Sequence, residues 1–171
     1  MCGIVGLFLK NSDLEVQLGK LLGDMLTKMS DRGPDSAGMA IYSRQTQFDV
    51  KLTLRFANFA FFKEFEVILK KNVRHEFSVE FRGDHVVLKF CEKDHDLIFT
   101  MLSSFKNSPQ IMSKGKFIEI FKEVGSPSDF ISQLKINDIE GTHGLGHTRM
   151  ATESAVTTMG AHPFSTGYDQ C

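Results

Sequence analysis

The amino-acid sequence predicts a layered α/β fold of the α+β type, in which β-sheets pack against helices. Short apolar runs rich in β-branched residues alternate with segments whose apolar residues recur at helical spacing. The C-terminal segment, by contrast, is dense in Gly, Thr and His and has no helical period, which is typical of strands joined by loops that build a site. The composition, 42% hydrophobic and 24% charged, is that of an ordinary globular protein.

The first 49 residues predict a strand, a helix and a second strand. "CGIVGLFLK" is an apolar run that predicts a buried strand, and Ser12 with Glu15 has the spacing of a helix capping box. Leucines and methionines then recur on one helical face as far as Met29. Gly33-Pro34 marks the end of that helix, and "AGMAIYS" predicts the second strand.

The middle of the chain predicts the element order β-α-β-β-α-β. Strand patterns at 50–56, 77–81 and 86–90 alternate with helical patterns at 59–71 and 97–105, and an extended stretch follows. This order is that of a ferredoxin-like split unit. We therefore expect residues 50–118 to form an inserted subdomain and residues 1–49 and 119–171 to form the main domain, with Ser126-Pro127 opening a short helix there.

Composition also excludes several classes of function. The formal net charge of −1 gives no electrostatic basis for binding nucleic acid or an anionic membrane. No apolar run approaches the roughly 18 residues of a membrane span, and no secretory signal is visible. The three cysteines, Cys2, Cys91 and Cys171, lie far apart and lack zinc spacing. We expect free thiols, a cytoplasmic location, and neither metal nor cofactor.

Cys2 is the first candidate for chemistry, because it directly follows the initiator methionine. Removal of Met1 would give Cys2 both a thiol and a free α-amino group. An α-amine has an ordinary pKa of about 7.7–8, so it can act as a base near neutrality and activate its own side chain. The alternative is a small structural thiol in a strand.

Two further segments contain candidate polar residues. In "DRGPDSAG", Arg32 could hold an anion through its fork of donors, although a Gly/Pro-rich turn between a helix and a strand needs no function. In "GHTRMATES", Arg149 could bind a carboxylate in bidentate fashion. His147 and His162 could each be structural histidines, and we expect a structural role for His147.

Taken together, "CGIVGLF" at position 2, "RGPDSAG" after the first helix, and "GHTRMATES" followed by "HPF" resemble the class II glutamine amidotransferases. The stretches "EIFKEVG" and "ATESAVTTMGAHPFSTGYDQC" are similar to the small stand-alone subunits related to glutamate synthase, of the kind that serves N-methylglutamate synthase. The resemblance implies an Ntn-hydrolase αββα sandwich that hydrolyses L-glutamine to glutamate and ammonia. It also implies partner subunits of the glutamate-synthase type, which carry FMN and iron–sulfur clusters.

The same resemblance implies roles for individual residues. Cys2 would be the nucleophile, with its own α-amine as base, and Arg149 would pair with the α-carboxylate of glutamine. Thr152 would line the pocket, Arg32 would help to order the nucleophile, and His162 would lie at the pocket edge.

One element of the family is absent from these 171 residues. The family follows "HPF" with a strand that ends in His-Asn-Gly, whose Asn side chain and Gly amide form the oxyanion hole. Loss of a single oxyanion donor lowers the rate by about 10²–10³. We therefore expect a sandwich that is incomplete at its C-terminus, from a truncated or incomplete reading frame, with weak or no activity alone. The alternative is a non-catalytic module that binds a partner or a small ligand.

Overall fold

The protein is described by a computed structural model that covers residues 2–151 and 155–171. It contains two four-stranded antiparallel sheets and four α-helices, so the predicted mixture of sheets and helices is confirmed. The strands are β1 (Gly3–Phe8), β2 (Ser36–Tyr42), β3 (Val50–Arg55), β4 (Phe77–Arg82), β5 (His85–Phe90), β6 (Gln110–Gly115), β7 (Ile118–Val124) and β8 (His143–Arg149). The helices are α1 (Leu18–Thr27), α2 (Phe59–Asn72), α3 (His95–Ser104) and α4 (Pro127–Gln133). None of the helices in the described residues has the length and apolar character needed to cross a bilayer.

Sheet A has the strand order β1-β8-β2-β7, so the first and last strands of the chain are hydrogen-bonded neighbours. Its inner face packs against α1 and α4 through a buried cluster that includes Leu22, Leu26, Met39 and Phe130. Its outer face is less covered, since Ile4 and Phe8 of the edge strand β1 are 70% and 69% exposed.

The start of the first helix differs from the prediction. The cap is Asn11, whose side chain accepts a hydrogen bond from the amide of Asp13, and residues Ser12–Gln17 form a 3-10 helix before α1 begins. Glu15 does not complete a capping box with Ser12. Instead, its carboxylate accepts two hydrogen bonds from the guanidinium of Arg44, at 2.7 and 2.8 Å. A tertiary ion pair has therefore replaced the local interaction that the sequence predicts.

Sheet B has the order β4-β5-β3-β6, and its elements follow one another as strand, helix, strand, strand, helix, strand. This is the order expected from the sequence, while the interpretation of residues 50–118 as an inserted subdomain stays a prediction. Helices α2 and α3 contribute to one apolar cluster with this sheet, which is rich in phenylalanine. Phe62 and Phe65 of α2 are fully buried in it.

The two sheets meet through β7 of sheet A and β3 of sheet B. Lys51 and Glu119 form a buried ion pair of 2.7 Å, and Arg55 pairs with Glu123 at 3.0 Å. Strands β6 and β7 are separated by only two residues, yet they belong to different sheets. The predicted extended stretch is therefore the point at which the chain passes from sheet B to sheet A.

Candidate active site

The candidate nucleophile lies at the end of sheet A where β1, β8 and β2 run side by side. Gly3 pairs with Thr148, and Ser36 pairs with Arg149. Cys2 precedes Gly3 and Arg149 follows Thr148, so the same register continues toward Cys2 and Arg149. Neighbouring Cα atoms in such a ladder lie about 4.5–5.5 Å apart. Because side chains alternate along strands, Arg149 and Ser36 lie in one row on the outer face, and continuation of the register would place Cys2 in the same row. The thiol of Cys2 is exposed.

Arg149 is held in place by backbone and side-chain contacts. One guanidinium nitrogen, Nη1, donates to the carbonyl of Gly160 at 2.9 Å, and the Arg149 carbonyl accepts from the amide of Asp35 at 3.1 Å. A Cβ added to Gly33 would lie 2.6 Å from the backbone of Arg149, so glycine is required at this crossing. The segments that contain Arg32 and Arg149, far apart in sequence, are thereby joined.

Arg32 itself is exposed, in the 3-10 turn Ser30–Arg32 that precedes Gly33. The structure therefore places Arg32 one residue from the crossing with Arg149. Thr152, the remaining predicted pocket residue, lies outside the described residues.

Asp35 and Ser36 also lie at this end of sheet A, although no pattern in the sequence distinguished them. Asp35 accepts from the amide of Ala151 at 2.7 Å through its side chain and from the amide of Gly125 at 2.9 Å through its carbonyl. It thus ties the loop after β8 to the beginning of β2. The hydroxyl of Ser36 is buried and has no hydrogen-bond partner among the described residues. The motif "RGPDS" contains both residues, but a turn pattern alone does not show which backbone they would meet.

The second row on the same face of sheet A lies two residues further along each strand and contains His147. His162 lies beside His147. Their ring centroids are 4.5 Å apart, and the Nδ1 atom of each is buried without a partner in the described part of the chain. Burial, together with the charges of His162 and Arg149, lowers the pKa of His147 to about 4. Burial, Arg149 and Lys122 also lower the pKa of His162. His147 is therefore neutral at pH 7, and the lowered pKa of His162 favours its neutral form as well.

Lys122 completes this second row from β7. Its ammonium donates to the carbonyls of Ala161 at 3.0 Å and Met159 at 3.4 Å, and it lies 4.5 Å from the ring centroid of Phe164. Burial lowers its pKa. The peptide bond His162-Pro163 is cis, and the carbonyl of His162 is only 2.2 Å from where a Cβ on Gly38 would lie. Gly38 therefore lets this loop rest directly on β2.

A group of potential metal ligands lies elsewhere, at the contact between the sheets. Asp84, His85 and Glu123 bring their ligand atoms within 4.8 Å of one another. The guanidinium of Arg55, however, already pairs with Asp84 at 2.8 Å and Glu123 at 3.0 Å. A cation in the same position would have to displace Arg55, so the arrangement favours an ion-pair network over a metal centre.

Comparison with known proteins gives two informative similarities. No protein-family profile matches the chain. The chain is 48% identical over 172 residues to the glutamine amidotransferase-like protein GlxB of Rhizobium meliloti (strain 1021), covering 100% of this chain and 57% of that protein. It is 28% identical over 181 residues to a putative glutamine amidotransferase of Methanothermobacter thermautotrophicus, covering 96% of this chain and 56% of that one. The chain thus spans a little over half the length of each relative. The similarities extend over almost all of this chain and support a glutamine amidotransferase role.

Proposed function

We propose that this chain supplies the nucleophile and part of the substrate clamp of a class II glutamine amidotransferase of the Ntn-hydrolase type. The observation that carries the proposal is the register of three neighbouring strands, in which Gly3 pairs with Thr148 and Ser36 with Arg149, so that continuation by one residue leads from Gly3 to Cys2 beside Arg149. An exposed thiol next to a guanidinium can attack an amide whose carboxylate the guanidinium holds. The similarity to two proteins named as glutamine amidotransferases supports L-glutamine as the substrate.

The reaction begins after Met1 has been removed, when the α-amine of Cys2 takes the thiol proton. The thiolate then adds to the side-chain amide carbon of glutamine and forms a tetrahedral oxyanion. When this species collapses, the carbon–nitrogen bond breaks, the α-ammonium returns a proton to the leaving nitrogen, and ammonia departs. The glutamyl thioester is then cleaved by water, which releases glutamate and restores the thiol. No redox step is involved.

The remaining predicted site residues position the substrate and the thiol. Arg149 binds the α-carboxylate of glutamine, and Arg32 orders the nucleophile from the turn beside Gly33. His162 forms the pocket edge as a neutral imidazole, and Thr152 lines the pocket. Ammonia then passes to a glutamate-synthase-like partner with FMN and iron–sulfur clusters, a step supported by the resemblance of the C-terminal motifs. Three free cysteines suit the reducing cytoplasm in which we place the protein.

Covalent labelling tests the proposal. The purified chain is treated with a diazoketone analogue of L-glutamine, and peptide mass spectrometry locates the adduct and reports whether Met1 is present. We expect Met1 to be absent and the adduct to form on Cys2, because that thiol is exposed at the end of sheet A to which the register with Arg149 leads. L-Glutamine should protect Cys2, while D-glutamine should not.

Two controls make the result decisive. Cys91→Ala should label like the unmodified chain, and Cys2→Ala should not label at all. The full-length R. meliloti relative serves as the positive control for the reagent. If the relative is labelled but Cys2 of this chain is not, Cys2 does not act as the nucleophile of this chain and the proposal is wrong.

A further inference from the structure

A cavity of about 430 Å³ lies where the two sheets meet, at the opposite end of β2 from Ser36. Strands β4 and β5 contribute Glu80, Arg82 and Lys89 to its lining. The turn before β8 contributes Asp138 and Glu140, and it contacts β4 directly, since Nη1 of Arg82 donates to the carbonyl of Lys135 at 3.1 Å. At about 3.3 Å per residue, the length of β2 places this cavity about 20 Å from the Cys2 end of the sheet. It is therefore separate from the candidate active site.

One wall of the cavity has an excess of positive charge. Arg82 and Lys89 both pair with the carboxylate of Glu80, the latter at 3.2 Å. Burial by itself would raise the pKa of Glu80, but the two cations outweigh this effect and lower it, so Glu80 is ionised at neutral pH. The three residues together therefore have one positive charge more than negative. In addition, Nε of Arg82 is buried and has no acceptor among the described residues.

The turn at 138–140, which lies beside this wall, has an excess of negative charge. Asp138 and Glu140 are exposed, and neither takes part in an ion pair within the described residues. The other carboxylates of the lining are neutralised, since Glu15 pairs with Arg44 at 2.7 Å and Glu119 with Lys51 at 2.7 Å. The two unpaired carboxylates thus line the same cavity as the cationic group of β4 and β5.

A cavity lined by a cationic group next to an anionic group is complementary to a small molecule that has both charges close together, as an α-amino acid does. We propose that it binds the zwitterion of a free α-amino acid. The α-carboxylate accepts from Arg82 and Lys89 on the β4–β5 wall. The α-ammonium lies toward Asp138 and Glu140. A ligand in this position contacts both sheets, because Glu119 of β7 also lines the cavity. The inference does not depend on the function proposed for Cys2.

The test is a titration of the isotopically labelled full chain with a panel of common L-amino acids, followed by amide chemical-shift mapping. Acetate and methylamine serve as probes with a single charge. We expect at least one amino acid to shift amides of residues 43–46 and 138–141, and both single-charge probes to bind about tenfold more weakly or worse, since each lacks one charge pair. The position of the shifted amides separates this cavity from the Cys2 end.

Variants sharpen the test. Asp138→Asn combined with Glu140→Gln should weaken binding about tenfold, and these exposed positions leave the fold intact. Arg82→Gln should weaken it as well, with the circular dichroism spectrum as a check on folding. Asp24→Asn, an exposed position on α1, is the matched control and should bind normally. The proposal is overturned if no amino acid shifts the cavity amides, or if binding is unchanged in the Asp138/Glu140 double variant.

Discussion

Sheets A and B are both four-stranded and antiparallel, but they are built from different residues. The strands of sheet A contain Gly3, Gly6, Gly38, Gly144 and Gly146, whereas those of sheet B contain only Gly115, at the end of β6. Glycine weakens a strand, because it adds no side chain to the packing and loses more conformational freedom on folding. Sheet B instead packs against rings, such as Phe65 with its neighbours Phe56 and Phe105 at 6.1 and 5.4 Å.

The difference shows where loops and strands must pack closely against the backbone of a neighbouring strand. In sheet A, a Cβ on Gly38 would meet the His162 carbonyl at 2.2 Å, and one on Gly3 would meet the Thr148 hydroxyl at 2.9 Å. These glycines let loops and strands approach one another at the end that holds Cys2 and Arg149. In sheet B the strands have one such position, Gly115 at the end of β6, where a Cβ would lie 2.1 Å from a carboxylate oxygen of Asp169, and the rest of the sheet is packed for stability. The comparison therefore predicts that changes in sheet B alter stability and that changes at the Cys2 end of sheet A alter the site.

The largest effect on stability should come from Phe65→Ala in sheet B's core. Phe65 is fully buried, so its removal should lower the free energy of unfolding by about 4 kcal/mol. Urea denaturation measures the loss. Phe59→Ala, at a position of the same helix that is 52% exposed, should cost far less. Labelling of Cys2 in the folded fraction should not change, and a slower labelling rate would contradict the separation of the two sheets.

The ion pair that joins the sheets should give the next largest effect. Lys51 and Glu119 are 1% and 6% exposed, so Lys51→Met leaves a buried, unpaired carboxylate and should lower stability by about 3 kcal/mol. The double variant Lys51→Met with Glu119→Leu removes both charges and should recover most of that loss. A double variant as unstable as Lys51→Met would show that packing, and not charge, determines the effect.

Gly38→Ala tests the close approach in sheet A. The added methyl group would collide with the His162 carbonyl, so we expect a loss of about 2 kcal/mol and slower labelling of Cys2 as the 161–164 loop shifts. Gly6→Ala is the matched control on the same face, because its nearest neighbour would be the Gly144 carbonyl at 3.9 Å. That control should be neutral or slightly stabilising. Equal changes in stability and labelling rate in the two variants would contradict the inference that Gly38 is needed for the close contact with the His162 carbonyl.

The smallest expected effect is the pH dependence of stability that His147 causes. The pKa of His147 is lowered to about 4 in the folded protein, against an ordinary value near 6.5. The unfolded chain therefore binds more protons between these values, and stability falls as the pH drops from 6.5 toward 4. The contribution of His147 to this loss in the free energy of unfolding should be about 1–2 kcal/mol. His147→Gln should flatten this part of the urea-stability profile, whereas an unchanged profile would show that His147 does not titrate in this range.

The sequence alone predicted most of the local structure and named the candidate site residues. Apolar periodicity predicted the strand at Gly3–Phe8 and the helix at Phe59–Asn72, and the Ser126-Pro127 pattern predicted the start of α4, because these depend on nearby residues. The placement of a cysteine at position 2 and the motifs around Arg32, Arg149 and His162 singled out the candidate site. The predicted cap at Ser12 was wrong, because Asn11 caps this helix and Glu15 forms an ion pair with Arg44, which is distant in sequence.

What only the tertiary structure decided is which segments meet. It joins Gly33 and Asp35 to the backbone of Arg149, pairs Ser36 with Arg149, and assigns β6 and β7 to different sheets. Local propensity and periodicity act over a few residues. Strand register and close backbone contacts, in contrast, depend on segments more than a hundred residues apart in the chain, such as β1 and β8. Pairing of that kind is fixed by the packing of the whole sheet, and no short stretch of sequence contains it.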